Sequence, residues 1–295
     1  MPNQTLICFG EVLWDLLPSG KLPGGAPMNV AVHATNLGLA SKMVSKVGAD
    51  DLGRELLDFL KGKGVSTDLI QVDHTFPTGV VKVELDDKNS PSYEIVQPVA
   101  WDFIHSSKEA EKAVKKAAAL AFGSLACRTE RTKKTLMDLL DVAVLKVFDV
   151  NLRPPFYSRE LLEELLSKSD IVKVNEEELE IIAGWHGGQG DIAGAQALLQ
   201  RYGLKSIIMT IGSKGALLVE PENVYRQSAI PVTVQDTIGS GDSFLAGFLV
   251  KYLKEAPIQE ALQFACATGA LVATHKGGTP AITQQDVEAM IARIS

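Results

Sequence analysis

One nine-residue stretch carries the chain's clearest chemistry: Asp236-Thr237-Ile238-Gly239-Ser240-Gly241-Asp242-Ser243-Phe244. Downstream of it, Leu245, Phe248, Leu249, Tyr252 and Leu253 recur at helical spacing, which predicts a helix from about Ser240. Gly239, Ser240 and Gly241 then fall in the first turn, where backbone N–H groups have no intrahelical acceptor and the helix dipole is positive. Such a turn is an anion cradle. Asp242 sits in the same turn, where its carboxylate would repel a bound anion. It reads either as a first-turn acid complementing the dipole or as a general base beside an oxyanion site, and its glycine frame favours the base.

Other candidates each carry two readings. Gly24, Gly25 and Asn29 lie in a turn that opens an apolar helix. They are a capped helix start, or a close backbone approach to a hydroxylated ligand with Asn29 as donor and acceptor. Asn175 and Glu178 end one apolar run and begin a helix, as an N-cap and an acidic first turn would. Asp149 to Pro154 also end a strand; Arg153 can fork onto phosphate or carboxylate, or be a solvated arginine. Thr210, Gly212 and Gly215 form a turn between two apolar runs. Trp101, in Pro98-Val99-Ala100-Trp101-Asp102-Phe103, could cover a ligand, whereas Trp14 and Trp185 read as packing. His33 and His275 read as packed or solvated residues.

These residues need a scaffold, and the patterning supplies one. Six buried-type runs (5–10, 42–48, 119–124, 144–151, 170–175 and 206–212) alternate with amphipathic helical stretches. That alternation predicts an α/β sandwich on a mostly parallel sheet. Residues 78–97 break the rhythm: apolar and polar residues alternate around Asp86 to Pro91, a hairpin signal. With residues of the 12–22 stretch, the hairpin region (78–100) predicts a small β-flap on one domain spanning 1–295. Its apolar face would favour closure over a ligand or pairing of two copies.

Composition narrows the function. The chain has 295 residues, 46% apolar and 22% charged, which excludes a disordered or collagen-like chain. Three scattered cysteines, Cys8, Cys127 and Cys266, argue against disulfides and a zinc site and point to a reducing cytoplasm. No basic n-region precedes the first apolar run, so no signal peptide is expected, and no run suits a membrane helix. A net charge of −7 gives no general pull on nucleic acid or acidic membranes. No GxxxxGK[ST] and no strand–GxGxxG–helix unit is present, so the phosphate device is neither a P-loop nor a dinucleotide fold.

Asp236 to Phe244 resembles the C-terminal signature of the PfkB/ribokinase family of carbohydrate kinases, DTxGAGDxF, with Ser240 in place of the usual alanine. Pro23 to Gly38 resembles the family's N-terminal signature. Asp149–Pro154 (DxNxRP), Asn175–Glu178 (NxxE) and Thr210–Gly215 (TxGxxG) follow in the family's order. The resemblance implies a ribokinase-like three-layer sandwich with a β-lid, and transfer of the γ-phosphate of ATP to a primary hydroxyl. It implies Asp242 as base, the Gly239–Gly241 amides as anion hole, and Asp15, Gly24, Gly25 and Asn29 at the sugar, with Trp101 and Arg153 beside them. It places Asn175, Thr210, Gly212, Gly215, Ala267 and His275 at the nucleotide, and Glu178 near its Mg²⁺ through water. Asp236, Ile238 and Thr279 match positions that shape a monovalent-cation (K⁺) site in some relatives. The wording from Gly10 to Asn29, and around Trp101, is most similar to fructokinases, so fructose is the expected acceptor. A 2-keto-3-deoxygluconate kinase, another sugar or nucleoside kinase, and a non-catalytic sugar sensor are the alternatives. A homodimer through the lid is the expected assembly.

Overall fold

The computed structural model describes residues 4–18, 20–85 and 91–293. β1 (Thr5–Phe9) leads into an antiparallel pair, β2 (Leu13–Leu17) and β3 (Gly20–Gly24), and then α1 (Ala26–Asn36). β4 (Ala40–Gly48), α2 (Asp51–Gly62) and β5 (Ile70–Asp73) follow, then a second antiparallel pair, β6 (Gly79–Leu85) and β7 (Pro91–Ile95). Next come α3 (Lys108–Lys116), β8 (Ala119–Gly123), α4 (Glu130–Leu140), β9 (Lys146–Asp149), α5 (Arg159–Ser167), β10 (Ile171–Asn175), α6 (Glu176–Gly184) and α7 (Ile192–Tyr202). β11 (Ser206–Thr210), β12 (Ala216–Val219), β13 (Val224–Gln227), α8 (Ser240–Tyr252), α9 (Ile258–Ala273) and α10 (Gln284–Ala292) complete the order.

Nine strands form one sheet in the order β13-β12-β11-β10-β9-β8-β1-β4-β5. All pairings are parallel except β11–β12 and β12–β13. Six of these strands, β1, β4, β8, β9, β10 and β11, are the predicted runs, and they are apolar on both sides because helices cover both faces. One apolar core packs α1, α8 and α9 on one face; the other packs α3 to α7 on the opposite face. Side-chain caps set several helix starts: Asp50, Ser107, Ser158 and Asp191 each accept an N–H from the first turn.

α8 is the helix that matters for chemistry. Residues Ser243 to Val250 are all buried, because it lies between α1 and α9. Its N-terminus is therefore held rigidly.

The expected hairpin exists as β6 and β7, although its turn, residues 86–90, lies outside the described residues. It joins β2 and β3 in a separate four-stranded sheet, β3-β2-β6-β7, through a parallel β2–β6 pairing that sets Leu13 opposite Gly79. Among the described residues, no helix is long and apolar enough to cross a membrane. The three cysteines are buried free thiols.

Candidate active site

A cavity of about 950 Å³ opens at the C-terminal ends of the parallel strands, between the large and the small sheet. Ligands of open α/β sheets bind at this edge. β1 delivers Glu11, β9 Asp149, β10 Asn175 and β11 Thr210; the small sheet contributes Asp15, Leu22, Val81 and Tyr93.

Gly239 caps α8 with φ 75°, and a β-carbon there would stand 2.4 Å from the Gly278 carbonyl oxygen. Only glycine fits this left-handed cap. The amides of Gly239 and Gly241 have no protein acceptor among the described residues. Ser240 differs from expectation: its amide donates to the Thr237 carbonyl (3.2 Å) and its hydroxyl to the Gly269 carbonyl (3.0 Å). The third expected cradle amide is thus committed to the turn itself.

Asp242 faces the cavity half-buried, and its Oδ2 accepts a hydrogen bond from Asn29 Nδ2 at 2.8 Å. Burial, reinforced by the nearby Asp149 charge, pushes its pKa up to about 6, while Asn29, Lys173 and Arg153 pull the other way. A carboxylate so poised is ionised at neutral pH yet basic enough to take a hydroxyl proton. Asn29 is buried on α1, and its Oδ1 has no hydrogen-bond partner. Asp15 stands on β2 against Gly24, and burial raises its pKa to about 6 against the pull of Arg153. Gly25, at φ 114°, passes so close to the Glu11 carbonyl that a β-carbon would lie 2.5 Å from its oxygen.

Asn175 and Glu178 make a reciprocal capping box, as their bland reading required. Glu178 also accepts the Leu152 amide at 2.9 Å and so fixes the loop that carries Arg153 into the cavity. In that loop Asn151 holds φ 40°, a conformation asparagine tolerates better than most residues.

Lys173 was not singled out by sequence reasoning. Its Nζ bridges both oxygens of Asp149, at 2.8 and 2.9 Å. A β-carbon on Gly241 would stand 3.4 Å from that nitrogen, so the buried ammonium lies directly beside the cradle. Burial opposes its charge, but Asp149, Asp242 and Glu178 together hold its pKa above the ordinary value. The available signal was a single lysine in the apolar run Ile171-Val172-Lys173-Val174.

Several expected residues stand elsewhere. Trp101 is fully buried and not on the cavity wall, which corrects its placement over a ligand. The Arg128 guanidinium stacks 3.8 Å over its ring while pairing with Asp102, and Gly79 at the base of the small sheet packs on its Nε1. Ala267 is buried within α9, and His275 is exposed at its end, bonded to the Leu271 carbonyl. Neither lines the cavity, nor do Gly212 and Gly215 of the turn after Thr210. Asp236 uses Oδ1 on the Ile238 amide and Oδ2 on the Gly277 amide, while the Thr279 carbonyl accepts from Lys63 Nζ at 3.4 Å. His33 holds the same loop: its Nε2 lies 2.8 Å from the Gly278 carbonyl, and burial lowers its pKa to about 4, so the ring is neutral and its Nε2–H donates.

Among the described residues, no cluster of three or more His, Cys, Asp or Glu could hold a metal alone. Glu178 and Asn175, at the cavity wall, suit a cation that keeps its waters and rides on phosphate oxygens.

Residues 19–285 match the profile of the pfkB family carbohydrate kinases. The chain is 31% identical over 312 residues to the probable fructokinase-5 of Arabidopsis thaliana, covering 96% of this chain and 95% of that one. The fructokinase of Xylella fastidiosa, solved with bound ATP, superposes with a TM-score of 0.88 at 27% identity, covering 99% of both chains. A double mutant of the Vibrio cholerae fructokinase, solved with fructose, ADP and potassium, gives a TM-score of 0.85 at 26% identity, covering 98% of this chain and 99% of that one.

Proposed function

The chain belongs to the pfkB family of carbohydrate kinases, and from that premise we propose that it phosphorylates D-fructose at its 6-hydroxyl with ATP. The observation that carries this reading is Asp242: a cavity-facing carboxylate with pKa about 6, hydrogen-bonded to Asn29, inside the cradle of Gly239 and Gly241.

Asp242 takes the proton of the attacking primary hydroxyl, which adds in line to the γ-phosphorus as the bond to ADP breaks. The amides of Gly239 and Gly241 and the α8 N-terminus receive charge on the moving phosphoryl group. Lys173, held by Asp149 beside Gly241, adds a fixed positive charge there. Arg153 reaches the cavity from the loop that Glu178 anchors. Asn175, Thr210, Gly212 and Gly215 serve the nucleotide side; of these, Asn175 and Thr210 stand on the wall. Glu178 and Asn175 would hold, through water, a Mg²⁺ bound with ATP, which would supply charge neutralisation at the phosphates. The four-stranded sheet acts as lid: Leu17, Leu22, Val81, Tyr93 and Ile95 face the cavity and exclude the water that would hydrolyse ATP. Pairing of two chains through this sheet is the companion proposal. A K⁺ site at Asp236 and Ile238 is supported by the potassium-bound relative, but here the Thr279 carbonyl already faces Lys63.

The acceptor side favours a neutral sugar. Asp15, Asn29 Oδ1 and Asp242 are acceptors, so hydroxyl donors suit them and the carboxylate of 2-keto-3-deoxygluconate is repelled. Measuring ADP release with fructose, 2-keto-3-deoxygluconate, ribose and adenosine tests this. Fructose is expected to give the highest kcat/KM. A preference for ketodeoxygluconate overturns the substrate, and tight sugar binding without ADP release overturns the kinase reading in favour of a sensor.

A further inference from the structure

Glu11 follows β1 and is only 3% exposed, yet it lines the cavity. Its Oε2 is fully buried and has no hydrogen-bond partner. The backbone amides of Glu11 itself and of Ala26, where α1 begins, face the carboxyl group, and the charges of Arg153 and Asp242 act on it. One turn further along α1, the Asn29 Oδ1 is in the same state, buried and without a donor. Buried acceptors are almost always paired, and leaving one unpaired is costly. Two such acceptors on the wall of one cavity call for a ligand that brings O–H donors to both.

We propose that Glu11 is a sugar-binding residue whose Oε2 accepts a hydrogen bond from one ring hydroxyl, next to the hydroxyl read by Asn29. This deepens the sugar-kinase reading and rests on it. The role is distinct from that of Asp242, which takes the proton of the reacting hydroxyl. Glu11 adds affinity and selects for the hydroxyl it meets. A site built to pair a particular hydroxyl rejects analogues lacking it more strongly than an apolar pocket would. Burial pushes its pKa up to about 7; a hydroxyl donating to Oε2 acts against burial and favours the ionised form.

The test is calorimetric and kinetic, on the full chain. Glu11→Ala is expected to weaken fructose binding by about 10- to 100-fold, the worth of one hydrogen bond to a charged group. The KM for ATP should stay within about 2-fold, since the ATP side of the cavity keeps its groups. Glu11→Gln keeps the shape and one acceptor, so its fructose affinity should fall between the two. One of the 1-, 3- and 4-deoxyfructoses should bind wild type as poorly as fructose binds Glu11→Ala, and lose nothing further in that variant. Unchanged fructose affinity in both variants, with wild type turning fructose over, overturns the role of Glu11 alone. An equal penalty for every deoxy analogue in the variants likewise overturns it, because a general loosening of the pocket would do that. Absence of ADP release from wild type with any sugar overturns the sugar-kinase reading itself.

Discussion

Two buried lysine–aspartate pairs cross neighbouring parallel strands of the same sheet, Lys46–Asp73 on β4 and β5 and Lys173–Asp149 on β10 and β9. Burial does not tell them apart: all four residues are 5–8% exposed. Their surroundings do. Asp73 accepts the Thr75 and Phe76 amides besides Lys46, and Lys46 also meets the Phe103 carbonyl. Phe76 and Phe103 stack beside them at 3.9 Å. Burial opposes the Asp73 charge, but Lys46 and the two amides overcome it and hold its pKa down at about 2. Among the described residues Lys173 and Asp149 hold only each other through their side chains, and both line the cavity beside Asp242 and Glu178. The first pair is closed by backbone and does structural work. The second faces the space where the phosphoryl group would move, and its charge is available to it. A buried ion pair is thus read by what completes its hydrogen bonding, not by its depth.

The sharpest way to break this contrast is to remove the group that the second pair serves. Asp242→Asn should lower kcat by about 10²–10⁴-fold with sugar and ATP still bound, as loss of a general base does; near-normal turnover would place the base elsewhere. In wild type, kcat/KM should rise with pH through about 6, where Asp242 loses its proton. Lys173→Met should lower kcat by about 10²-fold, as loss of a fixed charge at an oxyanion site does. Lys46→Met should cost about 3 kcal/mol of stability, because it strands a buried carboxylate, and leave the kcat of the folded enzyme within about 2-fold. Urea titration and steady-state rates on both variants check the pair. Equal losses of kcat would erase the distinction.

The smallest effect separates the two regions by pH. Glu11, Asp15 and Asp242 have pKa values raised to about 7, 6 and 6, above their unfolded values near 4. Through these three groups the folded state binds more protons than the unfolded one between about pH 4 and 7, and their contribution to stability falls as pH rises through that window; buried His33, with its pKa lowered to about 4, acts oppositely between about pH 4 and 6.5. Asp73 acts oppositely: its contribution is present above pH about 4 and lost as pH falls through about 2. The three raised carboxyls outweigh the one lowered histidine, so Tm of the ligand-free protein should be lower at pH 8 than at pH 5, by about 2–4 °C for each kcal/mol lost. Differential scanning calorimetry measures it, and a flat or rising Tm would mean these carboxyls are not buried as described.

Much of the site was legible because its parts are local. Glycines around Asp242, an apolar stripe after them and an N-cap with an acidic first turn at Asn175 are short-range signals, and α8, Asp242 and that helix start stand where those signals put them. Lys173 and Glu11 were not legible as site residues, since a lone charge in an apolar run gains meaning only when the strand's neighbours are known. Trp101 misled because its partner, Arg128, is far along the chain and draws the ring into the core. Among strands of the large sheet, β5, β12 and β13 lie outside the six runs: β5 and β13 are sheet edges, largely half-exposed, and β12 is a buried strand of only four residues. The hairpin of β6 and β7 showed in its alternation, but its parallel pairing with β2 is a long-range choice that no local signal encodes.

The product itself tests the central claim most directly. With wild-type enzyme, Mg²⁺, ATP and D-fructose, phosphorus and carbon NMR of the mixture should show ADP and fructose 6-phosphate in equal amounts, with the phosphate on the primary 6-carbon. Phosphate on another carbon would contradict the placement of that hydroxyl at Asp242. ADP accompanied only by inorganic phosphate would contradict the lid and the transfer step together.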